Sequence, residues 1–469
     1  MISLLRNSST HTLPPGPRTS KPLGFLGPVR RDIIQFLSLV AQEYGDLASF
    51  RVGLMRVVLI NRPEYINEIL VIRQRNFVKG RPLEVSKNLL GEGLLTSDAE
   101  VHRRQRRIVQ PAFHREKIES YAKVMTDYAI RLHQRWRDGS TIDMAQEMMR
   151  MALGISGRTM FNTDVENDAG DVGRAVTAAM KLFDRLSIPF IEVMLKLPLP
   201  STLSFWRAKK LLDSKIYRFI HEHRDQGIDQ GDLLSLLLVA GDVEENGKKL
   251  TDQEIRDQAL IFFLAAYDTT ALALTWTWYL LSQNPECEVA LHRELRTVLN
   301  GRVPTIEDIP HLSYTRAVFA ESLRLYPPGY VIARRALEEF ELDKYVVPRG
   351  ATVLMSPYLI HRDPRYYEKP EIFDPGRWLL HPENERPKFS YFPFGGGARV
   401  CIGDGFSWTE GTLVLATLAQ YWKPKLVPGH PVAYLPLLNL RPKHGMRMVL
   451  EQRVHVGTNR GIEGVRGSA

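Results

Sequence analysis

Cys401 stands in a glycine-rich run, FGGGARVCIG, that begins at Phe394. Consecutive glycines let the backbone approach a bulky or flat group, or adopt positive φ angles. The run lacks the Lys-Ser/Thr pair of a phosphate-binding loop, and no strong strand precedes it. A lone cysteine is more often an inert buried residue. Here, however, loop amides, Arg399 and a predicted helix over 405–421 would each favour the thiolate, which suits a soft metal ion.

A second chemical signal lies in the middle of a long apolar segment. A capping-box pattern at its start and Asn284-Pro285 at its end predict a helix over 251–283, about 50 Å long. This core helix carries Asp268, Thr269 and Thr270 at its centre. A buried carboxylate is costly unless it is paired or functional. Thr269 has an alternative structural role, a hydrogen bond to the carbonyl one turn earlier.

The elements that must position these residues are mostly helical, because apolar residues recur three and four apart along most of the chain. The predicted helices cover residues 102–137, 141–160, 205–224, 251–283, 285–299 and 313–325. Predicted strands, rich in β-branched and aromatic residues, are Leu47–Val52, Val57–Ile60, Phe340–Val347 and Thr352–Met355. The expected fold class is therefore mainly α, with small β-sheets near the N-terminus and after residue 329.

The positions of proline-rich and glycine-rich segments suggest one large domain. The proline-rich run Leu13–Pro17 is non-helical, so residues 1–18 are expected to form a short leader. No repeat or linker divides the middle, which predicts a single domain over 19–452. The polar, glycine-rich residues 453–469 are expected to form a flexible tail.

Composition excludes several classes of protein. Hydrophobic residues make up 44% of the 469 residues and charged residues 25%, unlike a disordered chain, a fibre or a coiled-coil rod. Two cysteines, Cys287 and Cys401, are too few for a disulfide scaffold or a four-thiolate site, and Cys287 has no chemical context. The net charge of +9 favours acidic partners without indicating nucleic acid. We identify no signal peptide or transmembrane anchor, so a cytoplasmic protein is expected.

Four motifs together resemble the signatures of the cytochrome P450 superfamily, in the family's order and most closely in its soluble bacterial type. They are the cysteine run itself, Ala265–Thr270, Glu321-x-x-Arg324 and Phe373–Trp378. The resemblance covers nearly the whole chain and implies a long central helix over a haem, with the cysteine loop below it. Two departures stand out: Ala266 replaces a usual glycine and should tighten the groove above the haem, and Gly376 replaces a residue that is often acidic.

The resemblance implies roles for named residues. Cys401 would be the axial thiolate ligand of haem b, and Phe394 would pack near the cysteine side of the ring. The haem propionates would be bound by His102, Arg106, Arg334 and Arg399. The alternative for the run of arginines after His102 is a solvated basic face. Strand alternation would turn Arg335 away from Arg334.

The remaining two motifs carry a structural and a catalytic expectation. Glu321 and Arg324, three apart on a helix, could form an exposed ion pair that contributes little to the free energy of folding. The resemblance instead implies a buried network of these two residues with Arg377. Asp268 and Thr269 resemble the family's acid–alcohol pair, which carries protons for the reduction of dioxygen. We therefore interpret these two as the catalytic pair.

The predicted function is a haem-thiolate monooxygenase that inserts one atom of O2 into a small hydrophobic substrate. Electrons would come from a ferredoxin or flavodoxin with its reductase, docking on the basic residues after His102. Those are Arg103, Arg104, Arg107, Arg115 and Lys117. The alternatives are a peroxide-driven peroxygenase, a haem-thiolate isomerase, and a haem-binding sensor or carrier without turnover. Retention of the acid–alcohol pair argues against all three.

The substrate is expected to be a terpenoid, a carotenoid-like molecule or a fatty acyl chain, because the candidate pocket segments are nearly all apolar. These segments are Leu83–Leu95, Phe183–Phe205, Phe262–Tyr267, Tyr330–Ile332 and Pro436–Leu438. Apolar helices also line every protein core, so this pattern specifies a class of substrate only. The segment near 187–201 could alternatively rest on a membrane surface.

Overall fold

The structure is a computed structural model that describes residues 12–166, 170, 172–175, 195, 197, 199–227, 229–242, 248–380 and 385–453. Its α-helices are α1 Leu26–Arg31, α2 Ile33–Tyr44, α3 Pro63–Asn67, α4 Arg81–Leu90, α5 Ala99–Val109, α6 Arg115–Arg135, α7 Met144–Phe161, α8 Pro200–Gln226, α9 Leu233–Val239, α10 Asp252–Gln283, α11 Pro285–Val298, α12 Ser313–Leu325, α13 Pro357–Ile360, α14 Arg377–Leu380 and α15 Asp404–Ala419. Helices dominate these residues, as the sequence predicts.

The strands are short and form small sheets. They are β1 Leu47–Val52, β2 Met55–Ile60, β3 Phe77–Lys79, β4 Thr141–Asp143, β5 Gly241–Asp242, β6 Lys248–Lys249, β7 Ile332–Ala336, β8 Phe340–Leu342, β9 Tyr345–Val347, β10 Thr352–Met355, β11 Trp422–Leu426, β12 Tyr434–Pro436, β13 Leu440–Pro442 and β14 Arg447–Gln452. The largest sheet has the order β1-β2-β10-β7-β3. Its register places Lys79 of β3 opposite Arg334 of β7.

Helix α10 runs through the main hydrophobic core. The Thr251 side chain accepts from the Glu254 amide and the Glu254 carboxylate accepts from the Thr251 amide, so the predicted capping box is present. Among the described helices, α10 is the one long and apolar enough to cross a membrane, but 83% of its apolar window is buried inside the fold. Burial of this kind identifies α10 as a core helix.

Several element boundaries differ from the sequence predictions. The predicted helix over 102–137 is divided into α5 and α6 by a 3₁₀ turn at Gln110–Phe113, where Pro111 removes a backbone donor. The predicted strand Phe340–Val347 is a hairpin that turns at Asp343, with φ of 56°. The predicted helix over 141–160 begins only at Met144, after β4. Of the predicted tail, the structure describes only Arg453.

Candidate active site

The cysteine loop is held in a shape that requires glycine at two positions. Gly395 and Gly397 have φ of +75° and +68°, in the left-handed region that favours glycine. A Cβ at Gly397 would also lie 1.8 Å from the Leu70 carbonyl oxygen. The Cys401 amide donates to the Phe394 carbonyl at 2.9 Å, which closes the loop just before α15 begins. The loop therefore presents Cys401 at the N-terminal end of a helix.

The Cys401 thiol lies deep among protein atoms, although the residue has accessible surface. Burial raises the pKa of Cys401 to about 11, against the opposing effects of the Gly403 amide and Arg106. The sequence argument expected loop amides and a cation to favour the thiolate, but desolvation outweighs them in the protein alone. A metal ion at the sulfur would replace the proton and reverse this balance.

Helix α10 passes over the cysteine loop. The Phe262 ring centroid on α10 lies 5.3 Å from that of Phe113. A Cβ at Gly403 would lie 3.9 Å from both Phe113 and the Cys401 sulfur. Thr270 Oγ1 donates to Ser407 Oγ on α15 at 3.4 Å. These contacts bring α10 close to the cysteine loop and to the start of α15.

Between Ile255 and Trp278, helix α10 is buried except for one open strip. Ala265 is exposed, and Ala266 and Thr269 are half-buried. Residues four apart lie on one helical face, so Ala265 and Thr269 form a continuous opening. Thr269 Oγ1 donates to the Ala265 carbonyl at 2.9 Å, the structural role that the sequence left as the alternative.

Asp268 lies beside this strip and not in it. Its side chain is buried and accepts a hydrogen bond from Asn439 Nδ2 at 2.7 Å. Its other oxygen accepts from the Arg441 guanidinium in an ion pair. Sequence reasoning did not find Asn439 or Arg441, which lie about 170 residues further along the chain. Among the contacts described, Asp268 and Thr269 do not bond to each other.

The four predicted propionate ligands, His102, Arg106, Arg334 and Arg399, converge beside the cysteine loop together with a fifth cation, Lys79. Arg399 bonds the Ser97 carbonyl at 2.9 Å and Asp98 at 2.5 Å, and Arg106 bonds the Val400 carbonyl at 2.8 Å. Lys79 Nζ donates to the Leu94 carbonyl at 2.9 Å. Arg335 turns away to Glu84 at 2.5 Å, as strand alternation predicts.

These cations raise one another's electrostatic energy. Burial, followed by the charge of Arg399, lowers the pKa of Lys79 to about 6 and that of His102 to about 3. The same causes lower the pKa of Arg334 to about 10. Nearby Asp98 raises the pKa of Lys79 and of Arg334, but does not cancel these effects. A cluster of this kind favours an anionic ligand.

Glu321 is the centre of a buried polar network behind the loop. Its fully buried carboxylate accepts from Arg324 at 2.8 Å through two nitrogens and from Arg377 Nε at 2.9 Å. Trp378 Nε1 and the Asp374 amide add bonds at 2.9 and 3.0 Å. The network implied by the resemblance is present, and the exposed-pair alternative is wrong.

Comparison with known proteins decides the family. The family model for cytochrome P450 matches residues 14–443. Cyclooctatin synthase of Streptomyces melanosporofaciens is 40% identical over 94% of this chain and 96% of its own length. Pentalenene oxygenase of Streptomyces avermitilis is 33% identical over 95% of this chain and 99% of its own. The solved structure of cyanobacterial CYP120A1 with retinoic acid bound superposes with a TM-score of 0.85, at 25% identity, over 94% of this chain and 100% of that one.

The chain belongs to the cytochrome P450 family. The predicted P450 fold is confirmed, and so is the class of enzyme, an oxidoreductase of the monooxygenase type. Its cofactor is haem with cysteine thiolate ligation, also as predicted.

The cation cluster of this P450 fits the two propionates of haem. The guanidinium groups of Arg106, Arg334 and Arg399 lie in this cluster, and Asp98 is the acidic side chain that bonds Arg399. Two propionates would add negative charge to the cluster and so relieve the repulsion between its cations. Lys79 was not found from the sequence, because one lysine in a short strand resembles many others.

Other predicted residues take different positions in the P450 fold. Arg104 of the basic helix turns to Glu254 at the start of α10, at 3.6 Å, and is partly buried. Arg107 is exposed, beside Arg106 at the cysteine loop. Cys287 is half-buried, with its sulfur 3.8 Å from the Phe373 carbonyl, away from the site. Residues 183–194, 196 and 198 of the predicted pocket lining, which include most of the membrane-surface segment, lie outside the described residues.

Proposed function

We propose that this P450 is a cytoplasmic, single-domain enzyme that oxygenates a cyclic terpenoid, with Cys401 as the thiolate ligand of its haem. The observation that carries the proposal is the arrangement of three features around one space. The cysteine loop lies close to α10, α10 carries the open strip at Ala265 and Thr269, and the cations lie beside the loop. Haem bound in this space activates O2 with two electrons.

The chain's own residues would hold and protect the cofactor. Arg106, Arg334 and Arg399 would bind the propionates, joined by His102 and Lys79. Phe394 and Gly403 would pack against the sulfur side, where the backbone amide of Gly403 lowers the pKa of Cys401 and would bond a thiolate. This bond withdraws charge from a bound thiolate and so tunes its donor strength.

Thr269 and Asp268 would move protons within the site. Thr269 Oγ1 lies in the open strip and can pass a proton into the space below it. The Asp268 carboxylate lies one residue away, on the buried side of the same helical turn. A carboxylate and a hydroxyl so placed can act in sequence as general acids. Their presence supports oxygenation over peroxygenase, isomerase or non-catalytic carrier functions.

A terpenoid is the favoured substrate because the names of similar proteins point to that chemistry. Relatives are named for oxygenation of cyclooctat-9-en-7-ol and of pentalenene, both terpenoids. The described pocket segments 83–95 and 436–438 supply mainly apolar side chains, which suits a hydrocarbon skeleton. Carotenoid-like and fatty-acyl substrates remain the second candidates on the same apolar lining.

Electron delivery would use the outer side of the cysteine loop. A surface pocket of about 510 Å³ lies there, lined in part by Phe394, Val400 and Trp408. The Arg316 guanidinium lies 4.9 Å from the centre of the Trp408 ring and is exposed. Arg107 adds a second exposed cation near the loop. We infer an acidic partner, a ferredoxin or flavodoxin served by its reductase.

The iron ligand is tested first, by the absorption spectrum of reduced protein with carbon monoxide. Wild type and Cys287→Ser should both show the strongly red-shifted Soret band of a thiolate-ligated haem. Cys401→Ser should lose that band while, where it folds, retaining some haem. A thiolate-type band in Cys401→Ser, or its loss in Cys287→Ser, would contradict the assignment.

The proton relay is tested by coupling. Thr269→Ala should bind haem and substrate normally but release hydrogen peroxide in place of product, whereas Thr269→Ser keeps the hydroxyl and should stay coupled. Asp268→Asn should slow turnover by about 10²- to 10⁴-fold, the usual contribution of a general acid. Full coupling in Thr269→Ala together with normal turnover in Asp268→Asn would exclude this pair, and Thr270 would be examined next.

The substrate class is tested by binding and product analysis. Cyclic terpene hydrocarbons and alcohols should shift the haem spectrum at lower concentration than fatty acids of similar carbon number. With an added ferredoxin and reductase, O2 consumption should yield a hydroxylated terpenoid. Tighter binding and faster product formation with fatty acids would reject the terpenoid proposal and leave the monooxygenase class intact.

A further inference from the structure

The hairpin formed by β12 and β13 reaches back to the centre of α10. Successive residues of a strand point to opposite sides, so Asn439 and Arg441 face one way and Leu440 the other. Leu440 is fully buried, whereas Asn439 and Arg441 bond the two oxygens of Asp268. The Asp268 carboxylate is therefore bound by two residues that lie outside its own helix.

The hairpin is anchored independently of this contact. Trp276 Nε1, two turns along α10, donates to the Leu440 carbonyl at 3.0 Å. The Leu440 amide donates to the Pro328 carbonyl at 2.9 Å, and the Tyr330 hydroxyl donates to the Leu437 carbonyl at 2.8 Å. These bonds fix the backbone that carries Asn439 and Arg441. A fixed donor pair can impose one orientation on the carboxylate that it binds.

Helix α10 offers Asp268 no comparable support. The residue is only 2% exposed, so solvent cannot solvate its charge. None of the hydrogen bonds described for its carboxylate comes from α10. Without the hairpin, the buried carboxylate would lose its stabilising charge and be free to rotate. The direction of the carboxylate relative to Thr269 thus depends on the two hairpin residues.

We propose that Asn439 and Arg441 are positioning residues for oxygenation, which hold the Asp268 carboxylate in one orientation beside Thr269. The proposal rests on the relay role proposed above for Asp268. Arg441 supplies a positive charge and a hydrogen bond to one carboxylate oxygen of Asp268. The neutral amide of Asn439 supplies a hydrogen bond to the other oxygen, so each oxygen has its own partner. Neither residue donates a proton to substrate or oxygen. Loss of either should disturb proton delivery and leave haem binding unchanged.

The test is a double-mutant cycle in the haem-loaded enzyme. Arg441→Gln and Asn439→Ala are each combined with Asp268→Asn, and Arg441→Lys is the conservative variant. Lys443→Gln, which removes an exposed charge from the same segment just after β13, is the matched control. Three quantities are measured for each variant. They are the amount of product formed per reduced cofactor consumed, the solvent isotope effect on turnover, and the substrate affinity obtained from the haem spectrum. Hydrogen–deuterium exchange of residues 434–442 supplies a readout independent of activity.

Arg441→Gln should lower coupled turnover by about 10- to 100-fold, the loss typical of a misplaced reacting group, with substrate affinity unchanged. In an Asp268→Asn background it should cause no further loss, because both changes break the same contact. Asn439→Ala should behave in the same way with a smaller loss, Arg441→Lys should recover part of the rate, and Lys443→Gln should match wild type. Exchange in 434–442 should stay close to the wild-type rate in Asp268→Asn and Arg441→Gln, because the bonds to Trp276, Pro328 and Tyr330 hold the hairpin.

Two results would overturn the proposal. Additive losses in the cycle, or reduced substrate affinity in Arg441→Gln, would show that the hairpin acts on the pocket and not through Asp268. Coupled turnover unaffected by Arg441→Gln while Asp268→Asn is impaired would show that Asp268 needs no positioning. The proposed relay fails separately, through normal turnover in Asp268→Asn alone. A rise of hairpin exchange in that variant would show that Asp268 holds the hairpin in place, which would refute the positioning role of Asn439 and Arg441 as well.

Discussion

The buried network around Glu321 allows a stability prediction with a calculable size. Glu321→Gln keeps the shape of the side chain but removes its charge, which leaves Arg324 and Arg377 buried without a counter-ion. Breaking a buried ion pair by removing one partner costs about 3–5 kcal/mol. With an unfolding entropy of about 2.1 cal/mol/K per residue, 469 residues give about 1 kcal/mol/K. The expected fall in Tm is therefore about 3–5 °C.

The effect should also depend on pH. Burial favours the neutral acid, but the hydrogen bonds and charges of Arg324 and Arg377 hold the pKa of Glu321 below its ordinary value. A carboxyl whose pKa is lower in the folded state stabilises the fold above its unfolded pKa and loses that contribution as pH falls. The difference between wild type and Glu321→Gln should be full at neutral pH and should shrink once pH falls below about 4.5.

Thermal unfolding of the haem-loaded protein, followed by circular dichroism and by haem absorbance, measures this difference. The matched control is Asp127→Asn, which breaks an exposed pair with Lys123 in which the side chains are 49% and 81% accessible. Exposed helical pairs contribute about 0.3–0.5 kcal/mol, so Tm should change by less than about 1 °C. Equal shifts in the two variants would refute the argument that burial makes the Glu321 network stabilising.

Two further predictions concern surface charge and pH. Arg316→Glu and Arg107→Glu should each slow reduction of the haem protein by an acidic ferredoxin and leave substrate affinity unchanged. The loss of reduction rate should diminish at high salt. An equal loss of substrate binding would contradict a docking role. His223 faces two acceptors, the Phe219 carbonyl at 3.0 Å and Asp232 at 2.8 Å, and although burial opposes it, Asp232 raises the pKa of His223. The stabilising contribution of His223 should be present below about pH 6.5 and should be lost as pH rises through its pKa in the folded state. The difference in unfolding free energy between wild type and His223→Gln, measured by urea unfolding, should therefore shrink as pH rises. A difference that does not change with pH would refute this prediction.

Elements with strong local signals could be predicted from the sequence. The capping box and the Asn284-Pro285 stop gave the bounds of α10 to within one residue. The strand Thr352–Met355 was also predicted with its observed bounds, because β-branched residues dominate it. Strand β7 was not among the predicted strand ranges because Arg334 and Arg335 interrupt its apolar pattern, although the opposite directions of these two side chains were expected. Short strands of this kind form through pairing with distant partners, which periodicity does not reveal.

Contacts between distant segments limited the prediction of the site. The cysteine loop and the acid–alcohol pair are contiguous motifs, so the sequence could locate them. Lys79 enters the cation cluster only because β3 pairs with β7 across more than 250 residues. Arg441 reaches Asp268 through a three-residue strand with no periodic signal. Long-range pairing of this kind depends on packing of the whole chain, which a single sequence does not specify.

The hydrogen bond from Thr269 to the Ala265 carbonyl does not conflict with a role in proton transfer. A hydroxyl has one donor and two acceptor sites, so Thr269 Oγ1 can accept a proton while this bond is intact. To donate into the open strip it must give up the bond, at a cost of about 1 kcal/mol. That cost slows the step by about fivefold, since each 1.36 kcal/mol corresponds to a factor of ten. General acid catalysis typically contributes about 10²- to 10⁴-fold, so the relay outweighs the local bond. A Thr269→Ala variant that stayed fully coupled would therefore indicate that the hydroxyl serves the helix alone.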